Sequence, residues 1–330
     1  MTRGMRRLSS AAVLVGAAAL LFGFVTGRRP LVLALLDASF LFCAGVAAGG
    51  VALSASVRLA FGGWAGPLLP AAEGLVDFLL PALGLLVVLV LEGAAWKPRP
   101  LSAGLAIRDL GGGLLLFLAA RWYVTRRRRG EPIGAPAVIY LLLYAAVLST
   151  WAVDLVLDLG PWAPSTVVPA YYFMSALLAG LAWATLQILA RERGEGDPEL
   201  HHDAGKLVFG LVCFWGYLLF AGYLPVWYEN LPDETGFLLA RWHGAFRPLS
   251  LLTLAATGLV PFAILLTEWA KRRRALLAAG TASVLVGVLV ECLLLVLPSL
   301  PLQASATGGV LGAGVLVGSL GLVFWFAPPP

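Results

Sequence analysis

Ionisable side chains set inside apolar runs are the residues of this sequence best placed to do chemistry. Glu73 and Asp77 stand four residues apart in one run, and Asp154 and Asp158 repeat that spacing in another. Arg108, Asp109, Asp37 and Glu291 lie in further runs. A charge at the centre of a bilayer costs of order 2.5 to 3.5 kcal/mol on insertion scales, so each needs a counter-charge or water. On a helix, a four-residue spacing places both carboxylates of a pair on one face. Two acids that share a weakly hydrated site compete for ionisation, and a carboxyl able to hold and pass a proton near neutral pH is what a proton relay requires. Two plainer readings stand beside this one. Glu73 and Asp77 also read as acids hydrated at one end of a span, and Arg108 with Asp109 also reads as a structural ion pair.

The elements that carry these residues must be membrane helices. The 330-residue chain is 60% hydrophobic and 12% charged, with mean hydropathy +0.89, 38 Gly and 21 Pro. Apolar windows of the ~20 residues needed to cross the hydrocarbon core recur along its whole length. The spacing predicts ten spans, at 9–27, 31–56, 69–91, 104–123, 135–158, 165–190, 205–227, 248–268, 275–297 and 305–326. Few alternating strands are present, which argues against a β-barrel. The opening MTRGMRR and its apolar core have the outline of a signal peptide, but no polar mature domain follows, so this segment is read as a retained first span.

Charge placement predicts the orientation. With a cytoplasmic N-terminus, the inner segments hold Arg3, Arg6, Arg7, Arg58, Arg121, Arg126, Arg127, Arg128, Arg129, Arg191, Arg193, Lys206, Lys271, Arg272, Arg273 and Arg274. The outer loops hold only Arg28, Arg29, Lys97, Arg99, Arg241 and Arg247. Positive charge concentrates on the cytoplasmic side of such proteins, so both termini are expected there. The basic pI, about 9.3, then reflects topology and gives no reason to invoke nucleic acid. Cys43, Cys213 and Cys292 are isolated, and His201, His202 and His243 stand at or beyond span ends, so the sequence offers no basis for a zinc, iron–sulfur or haem site.

On this topology the acids fall into two depth sets. Glu73 and Asp77, with His202 and Asp203, lie on the inner side; Asp37, Asp109, Asp154, Asp158, Glu229, Asp233, Glu234 and Glu291 lie on the outer side. Between them Ser149, Thr150, Tyr217 and Thr257 offer hydroxyls. Two aqueous half-channels and a bundle with wet ends and a dry middle both fit this pattern. Glu268 beside Lys271 reads as a snorkelling surface pair. Most of the Trp residues, including Trp151, Trp162, Trp183, Trp227, Trp242 and Trp269, suit an interfacial belt. Phe214, Trp215, Tyr217, Phe220 and Tyr223 suit either helix packing or a flat apolar site such as a quinone pocket.

The run HDAGKLVFGLVCFWGYLLFAGYLPVWYENLPDET, from His202 to Thr235, resembles the signature of the ActF-type subunit of alternative complex III, a bacterial quinol:cytochrome c oxidoreductase, and more distantly the NrfD/PsrC membrane subunits. That signature reads approximately H-x-L-G-x-L-x-F, F-W-x-Y, F-S-Q-Y and I-W-Y-x-N-x-P-E-E-T. His202, Gly205, Lys206, Leu207, Phe209, Phe214, Trp215, Tyr217, Phe220, Tyr223, Trp227, Tyr228, Asn230, Pro232, Glu234 and Thr235 match it. Weaker likeness extends to Phe61–Gly74 with Pro81, to Arg108, and to Asp158, Trp162, Ser165 and Thr166. Gly222 stands where the family has Gln, Asp233 replaces the first Glu of P-E-E, and the basic pair expected before Glu73 is missing.

The resemblance implies two four-helix bundles, here 31–158 and 165–297, with flanking helices at 1–30 and 305–330 in a single integral domain. It implies a subunit that carries no redox cofactor of its own, in contact at most with a quinone such as menaquinone or ubiquinone. Its partners would be an NrfD-like quinol-oxidising membrane subunit, an iron–sulfur protein and a multihaem cytochrome c, in a bacterial cytoplasmic membrane. The reading expected here is a proton-translocating subunit of respiratory or photosynthetic electron transport. Glu73 and Asp77 would serve the inner half, Arg108, Asp109, Asp154, Asp158 and Glu291 the outer half, and His202, Tyr217 and Glu234 the seventh span. The alternative is a quinol-binding anchor that delivers electrons to an external iron–sulfur protein, with Phe214, Trp215, Tyr217 and Tyr223 as quinone contacts. A secondary transporter or a structural scaffold is a third class, disfavoured because the acids sit toward span ends.

Overall fold

The structure is a computed structural model that describes residues 3–93, 97, 102–160, 165–192, 196–300 and 306–326. The expectations for Arg99, Trp162 and Arg193, and for the side chains of Arg3 and Asp233, fall outside the described residues. Among the described residues there is no strand, and ten helices are long and apolar enough to cross a membrane. The chain is an all-α, multi-pass membrane protein. Helices satisfy their backbone polar groups internally, the condition that hydrocarbon imposes on any crossing segment.

The elements run α1 (Arg3–Val25), α2 (Arg29–Leu59), α3 (Leu68–Leu91), α4 (Ala103–Arg128), α5 (Gly134–Leu155) and α6 (Val167–Arg191). They continue with α7 (Pro198–Glu229), α8 (Pro232–Trp242), α9 (Gly244–Leu265), α10 (Arg274–Val296) and α11 (Ala306–Trp325). All but α8 are spans. Asp197 caps α7, accepting from the Glu199 N–H at 3.0 Å, so this helix begins earlier than its apolar run and takes in His201, His202 and Asp203. It ends at Asn230, whose left-handed φ of 50° turns the chain, and Pro232 then opens α8. The polar residues that follow α7 thus open an amphipathic helix of 11 residues.

Two spans are not continuous α-helices. In α3 the segment Glu73–Phe78 is a 3-10 helix, and Pro81 supplies the reason: it has no N–H to reach the Asp77 carbonyl. In α9 Leu254–Leu259 forms a π turn just before Pro261, and Ser283 of α10 donates to the Ala256 carbonyl at 2.7 Å.

Helices α2 to α5 pack as one group of four, and α6, α7, α9 and α10 as a second. The groups meet where α2 crosses α6, and α2 is the most enclosed span. A Cβ on Gly49 would stand 2.0 Å from the Ala176 carbonyl oxygen, and one on Gly180 2.3 Å from the Gly50 nitrogen. Only hydrogen fits there, so the two backbones touch directly. Helices α1 and α11 form a separate antiparallel pair with Gly16 against Gly318, which sets the first and last helix ends on one face of the protein. That face is called the terminal face below, and the other the distal face.

Candidate functional site

On the terminal face the buried centre is Glu73. Its carboxylate is fully enclosed, accepts from Ser54 Oγ at 2.6 Å and is ion-paired to Arg127 of α4. The Tyr123 hydroxyl lies 2.9 Å from the same Ser54 Oγ. Asp77 does not join this group. A 3-10 helix turns 120° per residue, so four positions carry the side chain about 120° away from Glu73, and Asp77 instead pairs with Arg121 at the surface. The expected shared face would have required an α-helix. The cation that pairs with Glu73, Arg127, comes from another helix.

On the distal face Asp37 of α2, Asp109 of α4 and Asp154 of α5 are buried together. Arg108 pairs with Asp109 at 3.4 Å and with Asp154. Lys97, from the segment that joins α3 and α4, folds inward and donates through Nζ to the Asp154 carbonyl at 2.8 Å. Burial pushes the Lys97 ammonium below the usual lysine range, and the charges of Asp37, Asp109 and Asp158 oppose that push. Neither carboxyl oxygen of Asp37 accepts a hydrogen bond, so Lys97 is its compensating charge. Asp158 belongs to the 3-10 turn Leu157–Leu159 beyond the end of α5 and is partly exposed.

Between the two centres, tyrosines of neighbouring helices bond to the backbone of α2. Tyr172 donates to the Leu41 carbonyl at 2.9 Å, and Tyr140 to the Ala48 carbonyl at 2.7 Å; Tyr144 bonds to the Phe173 carbonyl. The hydroxyls read at mid-depth in the sequence lie elsewhere. Thr150 bonds back to the Val147 carbonyl of its own helix, Tyr217 is 62% exposed on the outside of α7, and Thr257 is buried on α9 in the second group. Sequence reasoning missed Ser54, Lys97, Tyr123, Arg127, Tyr140, Tyr144 and Tyr172. Only the four-residue spacing of Tyr140 and Tyr144 was a usable signal.

The second group holds one buried acid, Glu291 of α10. It accepts from Trp215 Nε1 at 2.8 Å, and Tyr171 and Ser175 of α6 stand beside it. Glu291 and Trp215 line a cavity of about 920 Å³ that opens among α6, α7, α8, α9 and α10 and also touches Tyr223, Glu229, Glu234 and His243. Of the four aromatics read as quinone contacts, Trp215 and Tyr223 reach this cavity, whereas Phe214 and Tyr217 stack on each other on the exposed side of α7. Arg241 of α8 also borders it. Its guanidinium donates to the carbonyls of Leu295 and Phe237, each at 2.8 Å, and so closes the carboxyl end of α10. Burial pushes Arg241 down to about 9, which leaves it charged at neutral pH.

The remaining expectations lie at the terminal face. His202 is half-buried near an Asp203–Lys206 pair, and the enclosed imidazole is that of its neighbour His201, 2.6 Å from Glu192. Glu268 pairs with Arg272 at 2.9 Å rather than with Lys271, because the four-residue spacing aligns those two while Lys271 turns inward against Gly205 and the Phe209 ring. Among the described residues no cluster of three His, Cys, Asp or Glu side chains could hold a metal ion. No protein-family model matches the chain, and no curated protein matches it.

Proposed function

We propose that the chain is a membrane subunit of a quinol:acceptor oxidoreductase of the alternative complex III type, with no redox cofactor of its own, and that its contribution is a proton path along α2. The observation that supports this is the polar line on one helix: Glu73 with Ser54 and Tyr123 at one end, Asp37 with Lys97 and Asp109 at the other, and tyrosine hydroxyls at Ala48 and Leu41 between them. Ser54 and Asp37 are seventeen residues apart, which at 1.5 Å per residue is about 25 Å, close to the thickness of the hydrocarbon core.

The steps are unequal. Asp37 to Leu41 spans about 6 Å, and the other two gaps, Leu41 to Ala48 and Ala48 to Ser54, about 10 Å each. A proton passes only between hydrogen-bonded neighbours near 3 Å, so water must bridge each gap. A dry middle would leave two structural ion-pair centres and no path. The orientation that fits has the terminal face cytoplasmic, with Glu73 as the entrance and Asp37 as the exit. In a bacterial cytoplasmic membrane the partners would be a quinol-oxidising membrane subunit, an iron–sulfur protein and a multihaem cytochrome c.

The test is reconstitution of the native complex into vesicles with a pH indicator. Asp37→Asn and Glu73→Gln should keep electron transfer and lower the number of protons moved per electron by half or more. Full stoichiometry in both variants would sink the path, and a purified complex without a cytochrome or iron–sulfur partner would sink the assignment to this class.

A further inference from the structure

The carboxyl end of α4 carries five arginines, Arg121 and Arg126 to Arg129, and they divide into two sets. Arg121 and Arg127 turn to the acids of α3, pairing with Asp77 and Glu73. Consecutive helical positions step about 100° around the axis, so Arg126, Arg128 and Arg129 splay toward the surface. Glu131 lies 3.2 Å from Arg126 and 3.8 Å from Arg129, and among the described residues no acid stands within ion-pairing distance of Arg128. Three cations thus share one carboxylate. The carboxyl end of a helix carries about half a negative charge, which lowers this surplus without cancelling it. Farther into the span, Trp122, Leu118 and Leu114 recur every four residues and form one exposed apolar stripe. Arg126 continues it, with its guanidinium 5.8 Å over the Trp122 ring. Tryptophan settles at headgroup depth, which sets the three arginines level with the phosphates of the leaflet at the terminal face. From Leu114 to Trp122 the helix rises about 12 Å, close to the ~15 Å of one leaflet's hydrocarbon.

We infer that this end of α4 binds an anionic phospholipid, with its phosphodiester among Arg126, Arg128 and Arg129 and an acyl chain along Trp122, Leu118 and Leu114. An acidic protein segment would satisfy the arginines and leave the stripe beneath them uncovered, so the two features together favour a lipid. A second place on the terminal face shows what the cluster adds. Arg273 also lies over an exposed tryptophan, Trp269, at 4.9 Å. Its neighbours are engaged, however: Arg272 by Glu199 and Glu268, Lys271 inward against Gly205, and Arg274 by the Leu189 carbonyl. That leaves a single cation where α4 offers three. The inference draws on the membrane fold and not on the proposed function.

Native mass spectrometry of the full chain in detergent, titrated with dioleoylphosphatidylglycerol, counts bound lipid and gives the affinity of the first. The wild type should bind it about tenfold or more tightly than dioleoylphosphatidylcholine, which has the same chains and no net charge. Each arginine beside an anionic headgroup is worth about fivefold in affinity, so Arg126→Gln combined with Arg129→Gln should weaken binding about twentyfold. Arg273→Gln should leave it unchanged. Equal binding of the two lipids would mean a plain acyl-chain surface and would overturn the site. Equal losses in the double variant and in Arg273→Gln would mean that the whole face attracts the lipid, and would overturn it too. So would displacement by millimolar inorganic phosphate, the mark of a free-anion site. If the double variant does not give a monodisperse protein, Arg128→Gln decides, since it removes no ion pair among the described residues. A loss of about fivefold is expected there, and unchanged affinity overturns the proposal.

Discussion

The two groups of four helices solve the same problem in opposite ways. Each must bury carboxylates in an apolar interior, but α2 to α5 do so with counter-charges: Arg127 on Glu73, Arg108 on Asp109 and Asp154, Lys97 facing Asp37. The second group gives Glu291 an indole donor, two hydroxyl neighbours and an adjoining cavity. A buried ion pair is stable while both members are present and costly when one is lost. An acid held only by hydrogen bonds adapts to neutralisation and to a ligand. The first arrangement fixes its charges in place, and the second leaves its acid beside open space.

The largest test of that contrast is truncation of one acid in each group. Glu73→Leu strands the half-buried Arg127 and should destabilise the protein by about 3 kcal/mol, whereas Glu291→Gln should stay within about 1 kcal/mol of wild type, because an amide accepts from Trp215 equally well. Thermal unfolding in detergent measures both, and equal losses would erase the distinction between the groups.

A middle-sized effect is expected at Lys97. Its folded-state pKa is lowered by burial, so between that value and the usual 10.5 the unfolded chain binds more protons than the folded one. Stability contributed by this residue therefore rises as pH climbs through the folded pKa toward 10.5. In Lys97→Met the rise should vanish. A wild type that loses stability relative to the variant over that window would show that Asp37 and Asp109 outweigh burial.

The smallest effect belongs to Glu268 on the terminal face. The hydrogen bond and charge of Arg272 hold its carboxyl below the usual 4.5, so its contribution is present above that value and fades as pH falls through the folded pKa. Both side chains are solvated, so Glu268→Gln should change the unfolding temperature little at pH 7 and less still in high salt. A large loss would mean that the surface ion pairs contribute more than the buried centres.

The spans were legible because an apolar run of membrane length has one stable form in lipid. The acids were legible for the complementary reason, since each is an exception inside such a run. What they meet was not legible. Whether Glu73 and Asp77 share a face depends on Pro81 and the 3-10 turn it leaves, and whether Asp37 is compensated depends on Lys97, sixty residues away and tied to it by no spacing. Tyr140 and Tyr172 reach α2 only through helix packing, which no local spacing encodes. That Tyr217 and Phe214 face outward was not legible for a related reason: the stretch 207–227 of α7 is apolar on every side, so the side that faces the interior could not be read from periodicity.

The pairing of α1 with α11 also has a meaning for how the protein is made. Gly16 and Gly318 touch, yet about 300 residues separate them, so the first helix enters the membrane long before its partner exists. During synthesis the glycine face of α1 stays without this partner until α11 has been made. Closure of this seam therefore waits for α11, and a product that lacks α11 would display an unpaired glycine face.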